Sequence, residues 1–254
     1  MARSSAGESV LSRAVRVLEA FDPGVRDLSV SQIARKCDMP VSSAHRIVGE
    51  LVEQGLLERL PNSHYRIGLH LWELAVRTPG AVGIRELALP HLQAALQRIG
   101  QHVQLAVLQE GEILSLERLS SANAVINLTV VGGRMPFYAT SSGLVLVAHA
   151  SHATQNLLIA EPRKPHRFTP QMTDAELRSR LDQVHRDGYA TTAGYIDPAA
   201  TAIAVPVFGP VGNVIATVAS VVPSADPHEQ AVLEVLRATA AGITASLAKR
   251  YSGT

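Results

Sequence analysis

Cysteine is nearly absent: the 254-residue chain has one, Cys37. A single thiol supports neither an intramolecular disulfide framework nor a multi-cysteine metal site, which suits a reducing compartment, and Cys37 reads as a small buried residue. Apolar runs fall short of the roughly 18 residues that span a bilayer, and the opening MARSSAGESV lacks the apolar core of a signal peptide. A cytoplasmic chain with no membrane partner is therefore expected. An excess of one charge is missing too, since 23 Lys and Arg against 22 Asp and Glu leave a net charge of +1. That is not the footprint of a strongly basic polymer binder. Nor is there an HExxH, a GxSxG, a P-loop or a paired CxxC, so an enzyme is not expected and no cofactor is called for. Asp182 and His185 lie three apart and could be half of a metal site, but Arg178, Arg186 and Asp187 beside them favour a solvated charged face. No metal site is expected. Internal repeats and low-complexity segments are absent as well.

What is present is a patterned segment from Leu28 to Gly68. Ser29 or Ser31 can cap a helix carrying Val30, Ile33 and Ala34, and Asp38, Met39 and Pro40 interrupt it. Pro40 is tolerated at the start of a second helix, whose Ala44, Ile47, Val48 and Leu51 form one apolar stripe. Gly55 suits left-handed termination of that helix. Leu56 to Leu60 and His64 to Ile67 then read as short strands around Pro61, Asn62 and Ser63, a candidate wing. Two helices, the second with small hydroxyls and bases at its start, followed by a β-ribbon, spell a winged helix-turn-helix. Such a helix fits the major groove of B-DNA.

The residues this reading places on DNA are Arg35, Lys36, Ser42, Ser43, His45, Arg46, Asn62 and His64. Arg46 leads, because arginine reads guanine through two parallel hydrogen bonds; alternatively it pairs with Glu50 one turn on. Ser42 and Ser43 contact phosphate or simply start the helix, His45 packs against the wing or meets DNA, and His64 is a solvated turn residue unless the wing enters the minor groove. Up to Arg77, ten Lys and Arg accompany nine Asp and Glu, so any electrostatic footprint must be local and doubled by dimerisation.

Flanking this motif, Ser9 to Phe21 is amphipathic, and Leu69 to Val76 reads as a short helix broken by Thr78, Pro79 and Gly80. The length exceeds one usual domain. A boundary there divides the chain into residues 1–78, for DNA binding, and a second part, 79–254. In the second part a helix over Ile84 to Ile99 precedes strands over Gln101 to Gln109, Ile113 to Leu119 and Val125 to Val131, with a loop at Gly132 and Gly133. Helices follow over Ser141 to Ala150 and Ser151 to Ile159. Thr173 and Glu176 make a capping box for a helix ending near Gly188. Strands over Thr201 to Val207 and Asn213 to Val222 flank the turn at Phe208 to Gly212, and Asp226 with Pro227 starts a long last helix. Mixed strands and helices without strict alternation indicate an α+β domain with an antiparallel sheet.

Five segments in order resemble the IclR family of bacterial transcriptional regulators: SVLSRAVRVLEAF, IARKCDMPVSSAHRIVGELVEQGLLER, YRIGLHLWELA, GGRMPFYATSSGLVLVA, and GYA followed by AIAVPVFGPVGNVIATV. The resemblance covers nearly the whole sequence. It implies an N-terminal winged helix-turn-helix, a C-terminal effector-binding domain of GAF-like fold, a homodimer or dimer of dimers on double-stranded operator DNA, and activation or repression set by a small-molecule effector. Carried over by motif, the effector pocket takes in Ser141, Ser142, Ala202, Ala219 and Val221, with Thr129, Tyr138 and Thr192 as further candidates. Relatives that bind small oxo-acids tend to carry thiols or hydroxyls at the positions of Ala202, Ala219 and Val221. Here those side chains are apolar, so an effector with a sizeable apolar or aromatic body is expected. Its acid end could rest on the amides at the helix start after Ser141, with Arg134 near in sequence. Val41 and Leu144 also depart from the family, which often has a base at each. A repressor is the leading reading, an activator of a catabolic operon the alternative, and a hydrolase with a vestigial DNA-binding domain the distant one.

Overall fold

The computed structural model describes residues 8–22, 24–77, 79–224 and 228–252, which divide into two compact units, one through Val82 and one from Gly83.

In the first unit, α1 (Val10–Glu19) is capped by Ser9, whose Oγ accepts the Ser12 amide at 3.0 Å. A two-residue strand, β1 (Leu28–Ser29), leads into α2 (Val30–Lys36). Of the two candidate caps, Ser29 does the capping: its Oγ accepts the Gln32 amide while Gln32 Oε1 accepts the Ser29 amide at 2.8 Å. Then come α3 (Val41–Glu53), the ribbon β2 (Leu57–Arg59) and β3 (His64–Ile67), and α4 (Leu69–Ala75). The strands form an antiparallel sheet in the order β1-β3-β2. Apolar residues of α1, α2, α3 and the ribbon converge on one core, with Val17, Ile33, Ile47, Val48, Leu57 and Tyr65 buried. Cys37 is buried there too, and burial raises its thiol pKa. Gly68 is fixed by proximity, because a Cβ on it would lie 2.1 Å from the Gly55 carbonyl oxygen.

The second unit is built on a six-stranded antiparallel sheet, ordered β6-β5-β4-β9-β8-β7. Its strands are β4 (His102–Gln109), β5 (Glu112–Ser120), β6 (Arg134–Pro136), β7 (Ala190–Ala193), β8 (Ala200–Phe208) and β9 (Val214–Pro223). Helix α6 (Ser141–Ala148) packs on the sheet and is buried at every position, as an all-round apolar helix must be. Most sheet residues in its cluster are small, Ala106, Ala204 and Ala219 among them. Gly143 allows α6 its closest approach: a Cβ there would sit 2.1 Å from the carbonyl oxygen of Phe137, in the 3-10 turn Phe137–Ala139. Outside α6 lie α7 (His152–Ala160) and α8 (Asp174–Asp187). The capping box at Thr173 and Glu176 forms as the sequence indicates, its hydrogen bonds holding the Glu176 carboxyl below the usual range, and Gly188 ends α8 in the left-handed conformation.

Strand alternation turns Leu105, Val205 and Val218 to the other face of the sheet, which suits α9 (Glu229–Ser252), packed along β8 and β9. By length and composition α9 could cross a membrane, yet its Val232, Leu233, Leu236, Ile243 and Leu247 are buried in the fold. The expected helix start at Asp226 and Pro227 lies outside the described residues.

Several expectations are corrected. Val125 to Val131 is not a strand; β-branched residues suit a ladder, but here the backbone is held by side chains described below. The helix expected from Ile84 begins earlier, since α5 spans Pro79–Ile99: proline at a first helical position lacks only an amide hydrogen that would find no partner anyway. Pro79 and Gly80 therefore start a helix instead of separating two, while Thr78 lies outside the described residues. Strands β1, β6 and β7, two to four residues each, had no separate sequence reading.

Candidate DNA interface and effector cavity

Helix α3 turns Ala44, Ile47, Val48 and Leu51 into the core, which leaves Val41, Ser42, His45 and Arg46 exposed at its start and Ser43 half-buried. Pro40 occupies the N-cap without a capping side chain, so it leaves the first amides of α3 uncapped. Arg46 Nη1 bonds Glu50 Oε1 at 2.6 Å on the exposed face. The pairing weighed from the sequence is thus made, between two half-exposed groups that a phosphate or base edge can compete for. Arg35 is exposed in the last turn of α2, whereas Lys36 bonds Asp22 and the Ala20 carbonyl at the end of α1. Asn62 is exposed at the ribbon tip, its Oδ1 accepting the His64 amide at 3.1 Å. His64 is not a solvated turn residue: it opens β3, and its Nδ1 bonds Asp27. Across the ribbon Arg66 meets Glu58 through two bonds of 2.9 Å. The first unit therefore presents hydroxyls, amides and an arginine at one helix end, with an exposed turn on the ribbon.

In the second unit a cavity of about 80 Å³ lies between the α6 side of the sheet and the 125–131 segment. One water needs about 10–15 Å³, so there is room for a body of several atoms. Sheet register assembles the floor: Thr192 pairs with Ala202, Ala202 with Val221, Gln104 with Ala219, and Ala106 with Ser115. At the start of α6, Thr140 is the N-cap, its Oγ1 accepting the Gly143 amide at 3.0 Å. Ser141 and Ser142 consequently do not cap the helix; they are its first two residues, buried and lining the cavity. Thr129, Thr192, Ala202, Ala219 and Val221 line it as well.

Two sequence candidates fall elsewhere. Tyr138 donates its hydroxyl to the Lys164 carbonyl at 2.9 Å and lines a separate surface groove. Arg134 lines that same groove and donates to the Gln109 carbonyl at 3.0 Å and to Glu110, so it is not beside the α6 start as a counter-ion. Sequence reasoning missed Gln104, Ser115, Asn127 and Asp197, all in the cavity wall. Alternation along β5 carried a signal for one of them, since Ser115 shares a face with the buried Ile113.

The roof is an arch of side-chain anchorage. His102 Nε2 donates to the Val125 carbonyl at 2.5 Å, Gln101 Oε1 accepts the Val125 amide at 3.0 Å, and Arg118 donates to the carbonyls of Asn127, at 3.1 Å, and Thr129. Burial pushes the His102 pKa down, the nearby Arg118 charge adds to that, and the bond to Val125 opposes it. Among the described residues no group of three or more His, Cys, Asp or Glu is placed to hold a metal ion.

Comparison with known proteins accounts for both units. Residues 10–61 match the IclR helix-turn-helix domain, and residues 78–245 match the bacterial transcriptional regulator IclR C-terminal model. The chain belongs to the IclR family. It is thus a DNA-binding transcriptional regulator of a non-enzymatic family. The structure is similar to an IclR homologue from Microbacterium hydrocarbonoxydans complexed with 4-hydroxybenzoate, at 42% identity and a TM-score of 0.87, covering 94% of this chain and 99% of that one. This IclR-family chain is also 29% identical over 209 residues to the regulator XynR of Escherichia coli strain K12, covering 81% of this chain and 82% of that protein. The transcriptional repressor IclR of the same organism is 20% identical over 185 residues, covering 71% and 67% of the two chains.

Proposed function

We propose that this regulator is a cytoplasmic repressor whose operator affinity is set by a small aromatic acid. Two copies would place their α3 helices in successive major grooves of a pseudo-palindromic operator, about 34–36 Å apart. Arg46, with Arg35, would read or hold DNA, Ser42, Ser43 and the uncapped α3 amides would bind phosphate, and Asn62 and His64 would bring the ribbon to the backbone. The effector would lie on the floor of Ala202, Ala219 and Val221, its carboxylate at the start of α6 beside Ser141 and Ser142.

The observation that carries this reading is the apolar floor at Ala202, Ala219 and Val221. Ala202, Ala219 and Val221 offer a small oxo-acid no hydrogen-bond partner, and a polar group left unpaired against them costs about 1–3 kcal/mol, whereas a benzene ring loses nothing on that surface. The similar Microbacterium homologue, complexed with 4-hydroxybenzoate, supports the ligand class. Repression is supported by the weaker similarity to the repressor IclR. To change operator occupancy tenfold, the effector must favour one state by about 1.4 kcal/mol.

The test is anisotropy of labelled DNA from immediately upstream of the gene, titrated with the full chain across a salt series, with and without 4-hydroxybenzoate. Specific binding that weakens with the acid is the expected result. Unchanged binding at saturating acid would remove the effector reading, and sequence-blind binding would move the operator to another promoter.

A further inference from the structure

Two polar atoms in the cavity wall are satisfied by no group among the described residues: Ser115 Oγ and Asn127 Nδ2. Neither is a loose side chain. Ser115 is 4% exposed, and its backbone is pinned at both polar atoms, its amide donating to the Gly133 carbonyl at 3.1 Å and its carbonyl accepting the Gly132 amide at 2.8 Å. Asn127 is oriented from two sides. Its Oδ1 accepts the Thr129 amide at 3.0 Å and its carbonyl accepts Arg118, so the amide oxygen is used within the arch and the NH₂ remains as the buried, unspent donor.

Native folds rarely leave buried polar groups idle, so two of them in the wall of one cavity call for a partner from outside the chain, a water or a ligand. The electrostatics narrow what that is. The cavity wall contains no Lys, Arg or His, and its one ionisable side chain is the carboxylate of Asp197. The nearest cation, Arg118, is spent on the carbonyls of Asn127 and Thr129, and a neutral hydroxyl matches both idle groups: it accepts from the Asn127 NH₂ and exchanges a hydrogen bond with the Ser115 hydroxyl, which can donate or accept. Ile113 and Met135, also in the wall, provide the apolar surroundings in which such bonds discriminate most strongly.

We propose that Ser115 and Asn127 form a subsite for an uncharged ring hydroxyl of the effector, separate from the α6 start assigned to its acid end. The proposal rests on the aromatic-acid reading above and adds a specificity to it. A site built to hydrogen-bond a hydroxyl rejects the analogue lacking it, because its own buried groups then stay unpaired.

The experiment is calorimetric titration of the full chain, and of Ser115→Ala and Asn127→Ala variants, with benzoate and with 4-hydroxybenzoate, which differ only by that hydroxyl. The unaltered chain should prefer 4-hydroxybenzoate by about tenfold or more, and each variant should lose most of that preference, with Ser115→Ala, which leaves the arch bonds intact, holding benzoate within about threefold. Benzoate binding reports that a variant is folded, and Ser115→Ala, which deletes one atom, is the gentler of the two. If the unaltered chain binds both acids equally, or if either variant keeps the full preference, the subsite is wrong and the aromatic-acid reading stands. If the unaltered chain binds neither acid while still holding its operator, the aromatic-acid reading fails and the subsite falls with it.

Discussion

Arg46 and Glu50 stand one turn apart on the exposed face of α3, joined by a bond of 2.6 Å. In the free protein the carboxylate shields the guanidinium; at a DNA surface it is a like charge to the phosphates. Breaking the pair from each side should therefore have opposite effects. Glu50→Gln should tighten binding to every DNA sequence, while Arg46→Ala should cost about 1–3 kcal/mol if the arginine reads a base, and only at the operator position it contacts. Anisotropy with operator and scrambled DNA separates the cases, since a phosphate role for Arg46 weakens both equally and lowers the salt slope by about one.

The cavity floor offers a second test. Ala202→Leu adds three carbons between Thr192 and Val221, its register partners on β7 and β9. The variant should lose the response to 4-hydroxybenzoate and keep its operator affinity and melting temperature. Loss of both affinity and response, with a lowered melting temperature, would mean the strand had been disrupted and not the cavity filled.

Gly143→Ala should be more damaging than its single methyl suggests. The added carbon would meet the Phe137 carbonyl oxygen at 2.1 Å, backbone against backbone, so α6 must back away from the turn it packs on. Such overpacking costs about 1–3 kcal/mol, and because α6 carries Ser141 and Ser142, effector affinity should fall with stability. Thermal melting of the variant beside Ala202→Leu shows the contrast.

Acid should weaken the second unit through two histidines. Burial lowers the pKa of His102 and that of His149, which lies beside His185 with ring centroids 4.8 Å apart. A folded-state pKa below the unfolded value means the unfolded chain takes up protons first as pH falls. The contribution to stability is complete above the ordinary histidine value of about 6.5 and declines below it. Melting temperatures measured from pH 7.5 to 5 should fall, and His149→Gln should flatten part of the slope.

The first unit was largely legible because its signals are local. Ser29, Pro40 and Gly55 mark helix ends through bonds to residues three or four away, and the stripe of Ala44, Ile47, Val48 and Leu51 names its own buried face. In the second unit the same logic read the capping box at Thr173 and Glu176, and alternation between turn residues read β4, β5, β8 and β9. Val125 to Val131 has the composition of a strand, but whether an extended segment joins a ladder is decided by what lies beside it, here His102 and Arg118. Tyr138 and Arg134 sit near the pocket motif in sequence and face another groove, since the 3-10 turn redirects the chain between them and α6. Alternation along β5 puts Ser115 on the face of Ile113, but that Ser115 and Asn127 go unpaired was unreadable: a lone serine or asparagine in the sequence says nothing about whether its partner exists.

The arch over the cavity shares no backbone ladder with the sheet beneath it. Substitutions along 126–131 can therefore change the shape and polarity of the roof without shifting the register of any strand, so long as His102, Gln101 and Arg118 keep their grip on the main chain. On the effector reading proposed above, ligand preference would shift by drift in one short segment while the strands keep their register.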